Sequence, residues 1–382
     1  MGSQSSGKNL RVLVVSAPVG TGHIVAAQRV AQALRGVLPA DSTVIVDDVG
    51  SMLRLGPQIM TPAISGAYEL ATSTFHGIPH RVAYHLVDRY PSLAERGFRA
   101  AFGNQLRRRV LATNPDVVVS TFHAVSATLS LVLPARIPVI SVAPGAGRIN
   151  KMWLYGRIAH FIFPEPQAYE FALDMGVPPS RISMISNVFA SEAAAVPAMD
   201  EAREGLKIHP RFTVLLSFGS SGFGRQGKEF LRLLRMRDSV TQVVITPGRK
   251  RKSLAAARAY ADESTFVAQG WVPLMPYMAA ADLVIGKAGW LTLTDASAIG
   301  RPTLILDYIK GQEDENVRVA CLSGAARHVT PAQAVECVLR YSRDETALSR
   351  DFPATRSISQ SVERDRERLT ETVRRVITAN TA

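Results

Sequence analysis

Cysteine is almost missing from this sequence: Cys321 and Cys337 are the only two in 382 residues. Neither a disulfide framework nor a cysteine-rich metal site can organise the fold, and a reducing compartment suits the chain. Long apolar runs are missing as well. No stretch offers the ~18 to 20 uncharged apolar residues of a membrane span, and the opening MGSQSSGKNL lacks the apolar core of a signal peptide. The expectation is a cytoplasmic protein whose contact with a membrane, where it has one, is peripheral and on the inner face. His76, His80 and His85 lack acidic partners at a metal-ligand spacing, so they give no reason to expect a bound metal. Acidic residues are in deficit, 32 against 44 Lys and Arg, and the resulting charge of +12 draws anions: nucleotide phosphates, nucleic acid or an acidic leaflet. No recognisable RNA- or DNA-binding module accompanies that charge, and the run Arg249-Lys250-Arg251-Lys252 is by itself a poor nucleic-acid motif. No nucleic-acid partner is expected.

What the sequence does have is a repeated α/β grammar. Val12 to Val15 form a continuous apolar strand, followed by a turn with Gly20 and Gly22, then by Ala27, Val30, Leu34 and Val37 at helical spacing. Short apolar runs recur at 44–46, 117–119, 139–142 and 161–163, separated by helix-like stretches, the pattern of a parallel sheet wrapped by helices. The same grammar restarts at 214–218, whose loop Gly219-Ser220-Ser221-Gly222 leads toward another helix, with later strands at 243–245, 266–267, 283–285 and 303–306. Two Rossmann-like halves are the simplest account. An alanine-rich stretch carrying Pro197 marks the join. The expected domains are therefore 1–190 and 206–357, with a linker over 191–205. The remainder, 358–382, sets Ile358, Val362, Leu369, Val373 and Val376 on a charged background, the mark of an amphipathic surface helix. It is expected to pack back on the first domain.

Chemistry concentrates in three segments. GKAGWLTLTDASAIGRPTLILDYIKGQEDEN, residues 286–316, runs from the end of a strand into a helix. Gly289 lets the backbone approach a ligand closely. The amides of Gly289, Trp290 and Leu291, with Thr292, stand where that helix begins, a natural seat for a diphosphate. Asp295, about one turn on, can accept hydrogen bonds from ribose hydroxyls; a capped structural helix explains the same residues equally well. After the next strand, Gly311, Gln312, Glu313 and Asn316 occupy the ligand edge of an open sheet, where amides and carboxylates suit sugar hydroxyls. An acidic solvated loop is the alternative. In the first half, Gly20-Thr21-Gly22-His23 sets a histidine at a helix start. Its ordinary pKa of about 6.5 fits a general base, or the residue merely orders the loop. The spacing is not G-x-G-x-x-G, so a dinucleotide fingerprint is not supported. Arg249 follows a strand and Pro247-Gly248, from where it can approach a nucleotide.

In this order the segments resemble the monogalactosyldiacylglycerol synthase and processive diacylglycerol glucosyltransferase group, which is family 28-like with the GT-B fold. More distantly they resemble the bacterial enzyme that adds N-acetylglucosamine to lipid-linked peptidoglycan precursors. The resemblance is carried by Lys287-Ala288-Gly289-Trp290-Leu291-Thr292-Leu293-Thr294-Asp295, Gly300-Arg301-Pro302 and Gly311-Gln312-Glu313-Asp314-Glu315-Asn316. Supporting matches are Gly20 to His23, Asn114-Pro115-Asp116, Gly176-Val177-Pro178 and Gly270-Trp271-Val272. It implies two facing Rossmann-like domains, the first binding acceptor and the second a UDP-sugar. It places Gly219, Ser220, Ser221, Trp271, Val272, Asp295, Gln312 and Glu313 on the donor, together with Arg249, Gly289, Trp290, Leu291 and Thr292 as read from their positions above. Gly22, His123, Pro144 and Gly145 fall on the acceptor side, and His23 is the implied base. The implied chemistry is an inverting single displacement without a covalent intermediate. No D-x-D pair occurs, so neither an essential bridging metal nor any other cofactor is expected.

The sequence departs from that group in three places. Trp290 stands where the relatives usually carry glycine, Asp295 where they carry glutamate, and Val142-Ala143-Pro144-Gly145 near the place of a Thr-Asp pair. The acceptor is left open between a lipid and a small metabolite bearing a hydroxyl or amine. Between Met52 and Arg109, Arg81, Arg89, Arg96, Arg99, Arg107, Arg108 and Arg109 mix with Tyr68, Phe75, Tyr84, Tyr90, Phe98 and Phe102. Such a region either rests on an anionic leaflet or is a solvated face over buried aromatics, and its alternation favours the second. Two other classes stay in competition: a sugar-nucleotide epimerase, and a nucleotide-sugar-binding protein without turnover.

Overall fold

The computed structural model of the chain describes residues 9–19, 22–52, 78–147, 149–186, 188–189, 196–238, 241–353 and 362–381. Gly20, Thr21, Tyr68, Phe75, His76, Ile358 and the linker residues 191–195 lie outside the described residues; for His80, Arg81 and Ser221 only the backbone is described.

The first sheet comprises β1 (Arg11–Ser16), β2 (Thr43–Asp48), β3 (Val117–Ser120), β4 (Val139–Val142), β5 (His160–Phe163) and β6 (Ile182–Met184). Its order is β2-β1-β3-β4-β5-β6, all parallel. Val12, Leu13, Val14 and Val15 are wholly buried. A parallel strand covered on both faces needs such a continuous apolar run rather than an alternating one. Val12 stands opposite Val44 on one side and Val117 on the other. Helix α1 (Gly22–Val37) buries Ala26, Ala27, Val30, Ala31 and Leu34. Farther along lie α2 (Ile78–Arg89), α3 (Pro91–Phe98) and α4 (His123–Val132). Strand order reverses between β1 and β3, so the loops leaving those two strands flank the switch point at which open α/β sheets bind ligands.

The second sheet comprises β7 (Thr213–Ser217), β8 (Gln242–Thr246), β9 (Thr265–Val267), β10 (Leu283–Lys287), β11 (Thr303–Asp307) and β12 (Ala326–His328). It is again parallel, in the order β12-β11-β10-β7-β8-β9. Counted from its own first strand this is the doubly wound order of dinucleotide-binding sheets, with the reversal between β7 and β10. Preceding it is α5 (Met199–Leu206); α6 (Trp290–Ala298) follows β10 and α7 (Asp314–Leu322) follows β11.

By proximity the chain divides into two compact units, Met1–Phe189 with Glu363–Ala382, and Ala190–Val362. The end of the stretch read as a linker is thus a helix of the second unit. Ala202 is buried there, and Arg203 donates to Asp282 Oδ2 at 2.8 Å and to the Ala280 carbonyl at 3.0 Å. The closing helix α8 (Val362–Thr381) belongs to the first unit and buries Leu369, Val373, Val376 and Ile377. Thr372 Oγ1 lies 3.5 Å from Ser183 Oγ, beside β6. The three-residue edge strands β6 and β12 were not expected from the sequence.

Candidate active site

In the first unit, the loops after β1 and β3 meet at His23. Its Nδ1–H donates to the Thr121 carbonyl at 2.6 Å, and Thr121 Oγ1 returns a bond to the His23 carbonyl at 3.0 Å. A carbonyl only accepts, so the neutral imidazole carries its proton on Nδ1 and leaves the Nε2 lone pair to accept one. Burial pushes the His23 pKa down to about 4, against the opposing bond to Thr121. Among the described residues a backbone carbonyl, and no carboxylate, orients this histidine. Phe122 packs edge-on at 5.0 Å, and His123 at the start of α4 stacks on Phe122 at 4.5 Å. His123 is pushed down to about 3 by burial and then by the His23 charge, and its buried Nδ1 has no hydrogen-bond partner among the described residues. Trp153, which sequence reasoning did not single out, lies 5.5 Å from His123 and 6.5 Å from His23. Pro144 and Gly145, both half-buried, leave β4, the neighbour of β3. Gly22 is exposed with open space where a β-carbon would stand.

These shifts tie stability to pH. His160, bonded to Ser183 Oγ at 2.8 Å, is also lowered to about 4 by burial and then by Arg375 and Arg181. Between about 6.5 and 4 the unfolded chain binds protons at His23, His123 and His160 that the folded unit refuses. Stability is therefore full above the ordinary histidine pKa and falls as pH drops, by at most about 1.4 kcal/mol per pH unit for each group. Thermal melts from pH 7.5 to 4.5 should show the midpoint falling below pH 6.5, with the decline reduced in a His160→Gln variant.

In the second unit, the loops after β7 and β8 pack backbone on backbone. Gly222 has φ 81° and ψ −172°, a conformation only glycine holds easily. A β-carbon there would lie 2.3 Å from Ser253 Oγ and 2.5 Å from the Pro247 carbonyl; one on Gly248 would lie 2.7 Å from the Gly219 carbonyl. This joins Gly219 and Ser220 to the stem of Arg249, whose guanidinium sits 4.8 Å over the Trp271 ring. Trp271 is 46% exposed, with Val272 half-buried beside it. On the other side of the switch point, Gly289 is the N-cap of α6 with no side-chain cap. The first amides of that helix, on Trp290, Leu291 and Thr292, therefore have no intrahelical acceptor. Its macrodipole makes this end electropositive. Trp290 is buried, its Nε1 without a hydrogen-bond partner among the described residues, and Asp295 is only 2% exposed. Gln312 is half-buried. Glu313 is 5% exposed and engaged, bonded by Lys287 Nζ and by the Ile309 amide at 2.7 Å. Lys287 was read from the sequence only as part of the matched segment; its ion pair with Glu313 was not.

Two family models divide the chain between them. Monogalactosyldiacylglycerol (MGDG) synthase matches residues 23–185, and the glycosyltransferase family 28 C-terminal domain matches 213–365. The chain is a GT-B glycosyltransferase. It is 23% identical over 352 residues to a processive diacylglycerol beta-glucosyltransferase of Staphylococcus carnosus, covering 90% of this chain and 87% of that one. Among solved structures, the glycotransferase of kitacinnamycin superposes with a TM-score of 0.64 at 14% identity, over 97% of this chain and 100% of that one. A UDP-GlcNAc 2-epimerase from Neisseria meningitidis, bound to UDP-GlcNAc, superposes at 0.57 and 14%, over 96% and 100%. Likeness at that identity is likeness of fold. The first matched segment begins at His23 and includes β3, while β1 and the loop leaving it precede it; the second contains Gly219 to Glu313. No helix among the described residues is long and apolar enough to cross a membrane.

Proposed function

We propose that this glycosyltransferase moves a sugar from a UDP-sugar to a hydroxyl of a membrane lipid, by a single inverting displacement in which no metal takes part. The observation that carries turnover rather than passive binding is His23: its Nδ1 is bonded to the Thr121 carbonyl, which leaves the lone pair on Nε2. That lone pair takes the acceptor proton as the oxygen attacks the anomeric carbon, and the bond from that carbon to the UDP oxygen breaks. The departing charge is met by the α6 amides and by fixed cations instead of a metal ion. Incubation with a panel of UDP-sugars and lipid acceptors tests the reading. Indifference to every uridine nucleotide ends it, and an epimerised UDP-sugar formed without acceptor supports the epimerase instead.

The lipid half of the reading rests on exposed apolar side chains among exposed arginines. Val82 and Leu86 on α2, Tyr90 between the two helices and Leu93 on α3 are 54%, 51%, 52% and 68% exposed. Arg89, Arg96, Arg99, Arg107, Arg108 and Arg109 are exposed along the same segment, whereas Phe98 and Phe102 pack against the core. Apolar side chains that enter a leaflet, with about 1 kcal/mol from each basic residue near an anionic surface, hold a protein peripherally. Sedimentation with anionic phospholipid vesicles should show binding that weakens as salt rises. The pair Leu86→Asp and Leu93→Asp should lower it about tenfold or more at an unchanged melting temperature, since both sites are exposed. Full activity on a soluble acceptor, with no vesicle binding, turns the assignment to a small metabolite.

A further inference from the structure

Both carboxylate oxygens of Glu313 are engaged, Oε1 by Lys287 Nζ and Oε2 by the Ile309 amide. A donor sugar would compete there with an ammonium, and charge-assisted bonds are the stronger ones. Lys287 is the more open partner, its side chain 18% exposed against 7% for Glu313. Its Nζ lies 3.9 Å from where a β-carbon on Gly289 would stand, so the ammonium sits at the first turn of α6. Asn316 straps the same turn by donating to the Ala288 carbonyl at 3.0 Å. The end of the loop after β11 and the first turn of α7 are thereby each tied to the approach to α6.

We propose that Glu313 is a positioning residue that acts through Lys287, holding its ammonium at the start of α6 for a phosphate group, and is not a ligand of the donor sugar. The inference rests on the UDP-sugar reading above. A lysine on its flexible stem loses conformational freedom when it binds an anion; one anchored beforehand has already lost it. With three donors the ammonium keeps Glu313 and still takes a phosphate oxygen.

Calorimetric titration with UDP and with uridine tests this, because neither probe carries a sugar. Glu313→Gln and Lys287→Met should each weaken UDP about tenfold, the loss of a charge-assisted bond, with uridine unchanged within about twofold. The double variant should be no weaker than Lys287→Met alone, since the effect of Glu313 passes through Lys287. Lys287→Arg, which keeps the cation, should stay within about threefold of the wild type. UDP affinity unchanged or tightened in Glu313→Gln overturns the proposal, and an altered ranking of UDP-sugars then makes Glu313 a sugar ligand. Equal losses of UDP and uridine, or additive losses in the double variant, overturn it as well. If a single variant does not fold, the double variant, without either charge, carries the comparison: loss of UDP alone supports the proposal, and any other pattern overturns it. A wild-type protein that binds no uridine nucleotide overturns the donor reading itself, a failure seen before any variant is made.

Discussion

Alanine in place of His23 should lower kcat by two to four orders of magnitude, about what a positioned general base contributes, while UDP affinity stays within about twofold. The reason is the geometry around one ring. Thr121 fixes the proton on Nδ1, so Nε2 is the only basic atom the side chain has left, and alanine replaces it with nothing. The pH profile is a second measurement of the same group. The active form is neutral, and with a pKa of about 4 it is protonated only well below the ordinary histidine range. kcat/KM measured over short times should therefore hold through pH 6 and fall toward pH 4, whereas an unperturbed histidine would lose half its activity near 6.5. Unchanged turnover in His23→Ala would remove His23 as the base.

Why the strands were legible and parts of the site were not follows from what each depends on. β1, β3, β7 and β10 are central parallel strands buried on both faces, so they must be continuous apolar runs, and a run is a local signal. β6 and β12 are three residues long at the sheet edges, and Arg327 and His328 are exposed in the latter. Nothing in so short a mixed segment distinguishes it from a loop. The glycine turns and His23 were visible because strand, turn and helix start are also local. The strand orders were not, yet the order is what sets His23 beside Thr121, 98 residues away, and Lys287 beside Glu313, 26 residues away. Sequence reasoning put Asp295 and Glu313 on ligand hydroxyls because of their residue type; burial and existing partners are properties of packing.

Two glycines three places apart separate these levels most sharply. Gly286 ends the buried part of β10 directly opposite Ser217 of β7, at the reversal of the second sheet, where the pairing with β11 slips by one residue. A β-carbon at 286 would lie 1.7 Å from the Ser217 carbonyl oxygen and 2.8 Å from its carbon. Both are backbone atoms of a central strand, so no side chain can swing aside to make room. Gly286→Ala should force β7 and β10 apart, costing about 3 kcal/mol or more, at the upper end of overpacking effects. That corresponds to a melting temperature lower by roughly 6 to 12 °C, and UDP binding should fail with it, because the same two strands carry the Gly219 and Gly289 loops. Gly289→Ala is the contrasting case. Its β-carbon would come no nearer than 3.7 Å to Thr292 Oγ1, and its φ of −70° suits any residue. That variant should melt with the wild type, yet bind UDP about tenfold more weakly, as expected where a methyl group keeps a phosphate from helix-end amides. Equal melting of the two variants would contradict the close approach at Gly286. Undiminished UDP binding in Gly289→Ala would move the diphosphate away from the start of α6.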